Sequence, residues 1–307
     1  MQLVDKCFDS VKKDYLRFLK NEKIFNKSKK KEIINLKKFY IPISFWIENK
    51  YKKKGETLFL GFSGGQGSGK TTVTAILKII LKKFFKRNVY VDSIDNFYKT
   101  LKDRDKMSNK IHPLFKTRGV PGTHDINLIK NFINSTKKKK FKKLKLPKFN
   151  KSTDNRLNKK YWNSINKKPE IVILEGWCIG AKPQSNLSIK KPVNTLEKNE
   201  DKNFVWRKYF NEKLKKEYKN FFSLFDHFIF MKIPNFHMAF KWRLLQENKL
   251  RKKVNKKKKI MSYNEIKRFV MFYERITLQM LKDLSKSASI VMFLKKSHEI
   301  KKIHYRI

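Results

Sequence analysis

Cysteine and long apolar runs are both scarce in this sequence of 307 residues. Its two cysteines, Cys7 and Cys178, form no CxxC pair, so neither a disulfide framework nor a cysteine zinc site is indicated. No run approaches the roughly 18 apolar residues of a membrane span, and charges interrupt the place where a signal peptide has its apolar core. The sequence therefore predicts a cytoplasmic protein with no membrane partner.

Arginine is also rare, with 11 arginines against 65 lysines in a chain of net charge +50. Lysine, asparagine, isoleucine and phenylalanine are all specified by A/T-rich codons, so a coding bias explains the charge without a partner. Proteins that read nucleic acids rely on arginine for base edges, and no helix-turn-helix, zinc or RNA-recognition signature is present. We therefore expect no specific nucleic-acid partner. We expect the few arginines to bind carboxylates or phosphates through two parallel hydrogen bonds from the guanidinium.

Five continuous apolar runs, at 57–62, 88–94, 170–174, 227–233 and 288–294, alternate with helical stretches. Continuous rather than alternating runs are typical of strands that are buried on both faces of a parallel sheet. We therefore predict an α/β protein with three layers and a parallel sheet of about five strands. Residues 1–54 are predicted to form an N-terminal helical extension, followed by one main domain at 55–307.

A glycine-rich stretch, GGQGSGKT at 64–71, follows the first run and fits G-x-x-x-x-G-K-[ST] without a mismatch. Glycines let backbone N–H groups turn inward around phosphate oxygens, and the next helix points its positive end at the anion. Lys70 is expected to reach the β- and γ-phosphates of ATP, and the Thr71 hydroxyl to coordinate Mg²⁺. The main domain is thus predicted to have a P-loop NTPase fold. The predicted phosphate-binding residues are Gly64, Gly65, Gln66, Gly67, Ser68, Gly69, Lys70, Thr71 and Thr72.

Two carboxylates follow predicted strands, Asp95 after the run at 88–94 and Glu175 after the run at 170–174. In an open α/β sheet, ligands bind at the edge where parallel strands end. Phosphoryl transfer to a hydroxyl needs one carboxylate to accept or orient the proton and another to hold magnesium. We predict that Asp95 is the catalytic base and that Glu175 holds the metal with Thr71, although the two carboxylates could exchange roles.

Four strings, GFSGGQGSGKTT at 61–72, SIDNFYKT at 93–100, RGVPGTHD at 118–125 and LEGWCIGA at 174–181, carry a family resemblance. They resemble the D-glycerate 3-kinase family of plant and cyanobacterial glycerate kinases, with a related fungal ATP-dependent kinase, near the uridine kinase and phosphoribulokinase group. The resemblance covers most of residues 57–280. It implies that the protein uses ATP and Mg²⁺ to phosphorylate the 3-hydroxyl of D-glycerate, giving 3-phosphoglycerate and ADP.

The resembling motifs also carry residues that suit a small anionic acceptor, because a carboxylate fits a bidentate arginine. Some of these residues have a structural interpretation as well: Asp125 as a helix N-cap, His124 as a packed residue, and Arg207 as a side chain that stacks and snorkels. The predicted acceptor-binding residues are Arg118, His124, Asp125, Lys151, Arg156 and Arg207.

The loop at 149–156 departs from the family pattern. Asn150 and Asn155 stand where acidic residues are expected, and a glycine spacer is missing. Asn96 likewise replaces an acidic residue after Asp95. An asparagine keeps hydrogen bonding but loses the charge, which affects the fine specificity for the acceptor.

Other functions remain open from the sequence. The same fold could phosphorylate a nucleoside, pantothenate or a sugar phosphate, or the basic surface could belong to a nucleic-acid-associated ATPase. A degenerate kinase that only binds ATP is a further alternative, against which the intact phosphate loop and carboxylates argue. The lysine-rich stretches at 137–145 and 251–259 suit solvated loops, and the second could be a lid over the nucleotide.

Overall fold

The five apolar runs are strands of one sheet in the structure, a computed structural model that describes residues 2–23, 28–251 and 261–306. Strands β1 to β10 are Leu58–Gly64, Val89–Ser93, Leu144–Leu146, Phe149–Asn150, Asn155–Arg156, Asn163–Ile165, Ile171–Gly176, His227–Lys232, Ile290–Leu294 and Ile300–Tyr305. In the described residues the main sheet has six strands, in the order β10-β9-β8-β1-β7-β2. Five of them are parallel, which confirms the predicted sheet, and β10 adds an antiparallel edge that the apolar runs do not predict.

Helices connect the strands and cover both faces of the sheet. Helices α1 to α12 are Gln2–Asn21, Lys29–Asn35, Ile41–Lys54, Lys70–Lys83, Leu101–Lys110, Ile126–Lys137, Asn186–Lys190, Thr195–Glu200, Val205–Lys213, Lys219–Phe222, Phe236–Arg251 and Tyr263–Ser287. A 3₁₀ turn, Ile94–Phe97, follows β2 directly.

Apolar side chains fill the space on both sides of the sheet. Phe59 of β1 belongs to a buried cluster with residues of α6, α9 and α12, whereas its neighbours Leu58 and Leu60 belong to a second cluster with residues of α3, α4 and α11. Successive residues of a strand point to opposite faces, so burial on both faces requires continuous apolar runs. The predicted three-layer P-loop fold is therefore confirmed.

The N-terminal helices pack against the outer side of α4. Cys7 and Tyr15 of α1 share a buried cluster with Ile76 and Ile80 of α4. Helix α3 ends at Gly55, whose φ of 72° is the left-handed conformation that glycine adopts readily at this position. The expected helical segment is present, and its treatment as a separate domain ending at residue 54 stays a prediction.

The register of the parallel strands brings three strand ends to one edge. Strand β7 lies between β1 and β2, with Ser63 opposite Gly176 and Ser93 opposite Glu175. The glycine-rich loop, Glu175 and the turn that carries Asp95 therefore lie together at this edge, where ligands bind in open α/β sheets.

Across the described ranges, no helix is both long enough and apolar enough to cross a membrane. The candidate lid at 251–259 lies outside the described residues except for the backbone of Arg251, and it stays a prediction.

Candidate active site

The glycine-rich loop joins β1 to the first turn of α4. Gly67 and Gly69 have φ values of 71° and 90°, in the left-handed region that side chains rarely adopt. A Cβ at Gly64 would lie 2.9 Å from the Cβ of Met231, so the backbone here needs glycine for close approach. Gly69 caps α4 without a side-chain hydrogen bond, so the first amides of a 14-residue helix face the loop uncapped.

The side chain of Lys70 folds back onto the start of this loop. Its Nζ donates to the carbonyl oxygens of Gly64 at 3.0 Å and Gly65 at 3.1 Å. Burial lowers the pKa of Lys70, while the nearby carboxylates of Glu175 and Asp95 act in the opposite direction. The ammonium thus lies between the loop and both predicted carboxylates.

Thr71 and Glu175 form a pair of oxygen ligands beside the loop, because the Thr71 Oγ1 hydroxyl donates to Glu175 Oε1 at 2.8 Å. Glu175 is buried, and burial raises its pKa, opposed by Lys70 and reinforced by Asp95. Hard oxygen donors of this kind suit Mg²⁺, which takes its remaining ligands from phosphates and water. The hydroxyls of Ser63 and Ser68 are buried near the loop with no hydrogen-bond partner among the described residues. These donors and the glycine cradle fit the phosphates of a nucleotide with its metal.

Asp95 lies across this edge in the 3₁₀ turn after β2. Its carboxylate accepts hydrogen bonds from Lys151 Nζ at 2.9 Å and from the Tyr98 hydroxyl at 3.1 Å. Burial acts to raise the pKa of Asp95, but the ammonium groups of Lys151 and Lys70 outweigh it, so the pKa lies below its usual value. Asp95 is therefore ionised at neutral pH, and the structure brings it together with Lys70 and Glu175.

Lys151 reaches Asp95 from the short hairpin formed by β4 and β5. The turn of this hairpin is fixed by Asp154, which adopts a left-handed φ of 51° and accepts hydrogen bonds from both Arg104 and Arg118. Arg104 is fully buried, so it holds the turn rigidly, and Arg118 also lies over the ring of Phe149. An aspartate held by two arginines here takes the conformation for which a glycine would be the usual choice.

The three asparagines that depart from the family pattern have structural partners. Asn96 donates to Asp92 at 2.6 Å and accepts from the backbone of Phe149 at 3.3 Å, which ties β2 to the hairpin. Asn150 accepts from the backbone of Ser152, and Asn155 from that of Leu101. An acidic residue at 96 would instead place two carboxylates in contact.

Arg156 and Asp125 bind each other rather than pointing together into the open site. Arg156 Nη2 lies 3.2 Å from Asp125 Oδ2 and 2.8 Å from the carbonyl oxygen of Tyr98. Asp125 is also the N-cap of α6, where it accepts from Leu128 N. Both predicted acceptor residues therefore lie near Asp95 but already have partners within the fold.

His124 is packed behind Asp95. Its ring stacks on Tyr98 with centroids 4.4 Å apart, and its Nδ1 lies 2.7 Å from the Tyr218 hydroxyl. Burial lowers the pKa of His124 to about 3, so the ring is neutral at physiological pH. The sequence motifs did not predict that Tyr98 stacks on His124 or that Tyr218 forms a hydrogen bond with it.

Arg207, the remaining predicted acceptor residue, is buried between α7, α8 and α9. Its side chain is 1% exposed, and it donates to the backbone oxygens of Ile189, Glu197 and Asp201 at 2.9 to 3.0 Å. It also forms an ion pair with Asp201 at 3.2 Å. These contacts hold α7, α8 and α9 together, and they supply the partners that a buried charge requires.

Together, the phosphate loop, the two carboxylates and the sheet order define a P-loop kinase. Residues 59–182 match the model of the Phosphoribulokinase / Uridine kinase family. The resemblance seen in the sequence motifs is confirmed by the relatives described next, and the chain is an ATP-dependent phosphotransferase with an alcohol group as acceptor.

By sequence, the chain is similar to an uncharacterized kinase of Schizosaccharomyces pombe, mug58, with 29% identity over 236 residues that cover 74% of this chain and 82% of the relative. It is also similar to the chloroplastic D-glycerate 3-kinase of Arabidopsis thaliana, with 28% identity over 230 residues that cover 69% of this chain and 48% of the relative. The chain thus spans about half the length of the plant relative.

Among solved structures, the D-glycerate 3-kinase from Cryptococcus neoformans var. grubii matches with a TM-score of 0.72 and 19% identity, covering 87% of this chain and 99% of that chain. At this level of identity the match shows a common fold.

Replacing Arg207 by methionine should destabilise the fold without changing how the acceptor binds. The change leaves Asp201 buried without its cation, which costs about 3–5 kcal/mol in the free energy of unfolding. The matched control Arg268→Met removes an ion pair on the surface and should cost no more than about 1 kcal/mol. Urea unfolding and acceptor KM values measure both effects, and a stable variant with a raised acceptor KM would restore Arg207 to the acceptor site.

The neutral state of His124 predicts a pH dependence of stability. Its pKa is about 3 in the folded state against 6.5 when unperturbed, so the unfolded chain binds one more proton between these pH values. Stability should therefore be lost as pH falls below about 6.5, by up to about 1.4 kcal/mol per pH unit from this residue. Urea unfolding at pH 7.5, 6 and 5 should show a shallower decrease for His124→Gln than for the wild type. Parallel decreases in the two proteins would contradict the assignment.

Proposed function

We propose that this protein transfers the γ-phosphate of Mg²⁺-bound ATP to the 3-hydroxyl of D-glycerate. The names of two relatives, one by sequence and one by fold, support this acceptor. The observation that carries the proposal is the convergence of Lys70, the Thr71–Glu175 pair and Asp95 at one strand edge, next to cationic side chains that suit a small carboxylate.

The phosphate loop would hold the nucleotide. Its inward amides, the amino end of α4 and the ammonium of Lys70 bind phosphate oxygens, and Lys70 exchanges its two loop carbonyls for the β- and γ-phosphates. Thr71 and Glu175 would hold Mg²⁺ directly or through water. When bound, the metal neutralises charge that develops on the phosphates.

Asp95 would act on the acceptor. In the reaction, the acceptor oxygen forms a bond to the γ-phosphorus as the bond from that phosphorus to the oxygen of ADP breaks, and Asp95 takes the hydroxyl proton. The low pKa of Asp95 favours the carboxylate form that can accept the hydrogen bond of the acceptor. Lys151, already bound to Asp95, would bind the carboxylate of the acceptor as well.

Arg118 and Lys151 are the cationic side chains that best suit the acceptor carboxylate. Arg118 is anchored through one nitrogen to Asp154, which leaves the rest of its planar fork for an anion. Another small anionic acceptor, such as a sugar phosphate, would use the same two cations. The choice between these acceptors therefore requires measurement.

Removal of the proposed base should slow chemistry but leave nucleotide binding intact. Asp95→Asn is expected to lower kcat by about 10² to 10⁴, with ADP affinity largely retained, because only proton transfer is lost. Lys70→Ala should nearly abolish turnover, whereas Lys82→Ala, an exposed position on the same helix, should not. Full activity of Asp95→Asn in a steady-state assay would exclude it as the base.

A coupled assay for ADP release tests the acceptor. With ATP and Mg²⁺, D-glycerate should support faster turnover than a nucleoside, pantothenate or a sugar phosphate. Arg118→Lys should raise the KM of D-glycerate roughly 10-fold or more, because an ammonium cannot replace a bidentate fork. The control Arg268→Lys should leave that KM unchanged. Turnover with another acceptor but not with D-glycerate would refute the substrate while keeping the kinase.

A further inference from the structure

The turn between β9 and β10 contacts the phosphate loop from outside. His298 Nε2 lies 3.0 Å from the carbonyl oxygen of Gly67, 231 positions earlier in the chain. A carbonyl oxygen can only accept, so Nε2 carries the proton and donates it. A residue at the edge of the sheet therefore binds the middle of the loop that is proposed to hold the phosphates.

Trp242 of α11 supports this contact. The rings of His298 and Trp242 are stacked, with centroids 3.9 Å apart and an angle of 27° between the planes. Trp242 is 1% exposed, and its Nε1 donates to the carbonyl oxygen of Lys296 in the same turn at 3.2 Å. It also lies directly against Gly67, where an added Cβ would come within 2.8 Å of the Trp242 Cβ. The imidazole thus rests on a rigid, buried platform.

The bond to Gly67 fixes the orientation of one peptide unit in the loop. In a trans peptide, the C=O and the following N–H point in opposite directions. A Gly67 carbonyl held outward by His298 therefore turns the Ser68 N–H to the opposite side, where it donates to the carbonyl oxygen of Gly65 at 3.3 Å, so the two bonds together hold this peptide. With a φ of 71°, Gly67 can rotate between conformations that other residues cannot adopt, so an external restraint matters at this position.

We propose that His298, resting on Trp242, is a positioning residue that holds the Gly67–Ser68 peptide in the orientation required for phosphate binding. The turn itself has a separate anchor, an ion pair between Glu299 and Lys31 of α2. Loss of the imidazole bond therefore affects the loop and leaves the turn in place.

Substitutions at His298 separate the hydrogen bond from the stacking. His298→Phe keeps an aromatic ring on Trp242 but removes the donor, whereas His298→Gln keeps a donor and loses the ring. For His298→Phe, isothermal titration calorimetry with ADP should show about 3- to 10-fold weaker binding, the range expected for one lost hydrogen bond. His298→Gln should recover part of this loss, and Ser297→Ala in the same turn should bind ADP as the wild type does.

Steady-state kinetics provides the second measurement. The KM for ATP should rise in His298→Phe, while kcat, the KM of the acceptor and the melting temperature of the free protein stay close to their wild-type values. Unchanged ADP binding in His298→Phe would overturn the proposal. A parallel loss in all parameters together with a lower melting temperature would do so too, because it indicates a general structural role. ADP binding does not involve the acceptor, so this test stands even if D-glycerate is the wrong substrate.

Discussion

The pairing of β7 between β1 and β2 is the constraint on which the site depends. Its register sets Glu175 beside the phosphate loop, where Thr71 binds it, and beside the strand end that leads to Asp95. Side chains alternate along a strand, so a slip of one residue would turn Glu175 to the other face of the sheet. Such a slip would also expose apolar side chains that are now buried on the two faces of the sheet, at a large cost in the free energy of folding. The packing of the core thereby fixes the positions of Glu175 and of the strand end before Asp95.

The two carboxylates differ in their surroundings in a way that matches two roles. Asp95 has the ammonium of Lys151 as a direct partner, and its pKa is lowered, whereas Glu175 is more deeply buried, and its pKa is raised. Glu175 bonds to the hydroxyl of Thr71 next to the loop, which suits a metal ligand. Asp95 lies beside Lys151, one of the residues proposed to bind the acceptor, which suits a base. Differences of environment of this kind commonly separate the roles of paired acids.

Much of the fold could be predicted because burial on both faces leaves a plain signal, a continuous apolar run that ends at a glycine-rich loop or a carboxylate. Strand β10 leaves no such signal, since its apolar residues Ile300, Ile303 and Tyr305, which pack on the sheet, are separated by two lysines and a histidine. The hairpin of β4 and β5 leaves no pattern in the sequence either, because it depends on the contacts of Asp154 with two arginines that are distant along the chain.

The scarcity of arginine was informative, but not always in the expected way. A guanidinium fork was predicted to grip anions, and Arg118 remains a candidate for that role. Arg104 and Arg207 use the same fork on backbone carbonyls inside the fold. Sequence alone does not distinguish these uses, because the partners are main-chain atoms that any sequence provides. The contact of His298 with the loop is not predictable from the sequence for the same reason, since its partner is a glycine carbonyl.

The ion pair between Lys151 and Asp95 bears on how fast water would hydrolyse a bound nucleotide when no acceptor is present. A carboxylate that is already paired with an ammonium is a weaker base, so if Asp95 is the base, a nucleotide bound without acceptor would be hydrolysed only slowly by water. Under the proposed function, the carboxylate of an arriving acceptor would share this ammonium with Asp95 and so weaken its hold on the base. The half-exposed hairpin that carries Lys151 would thereby couple the reactivity of Asp95 to the presence of the acceptor.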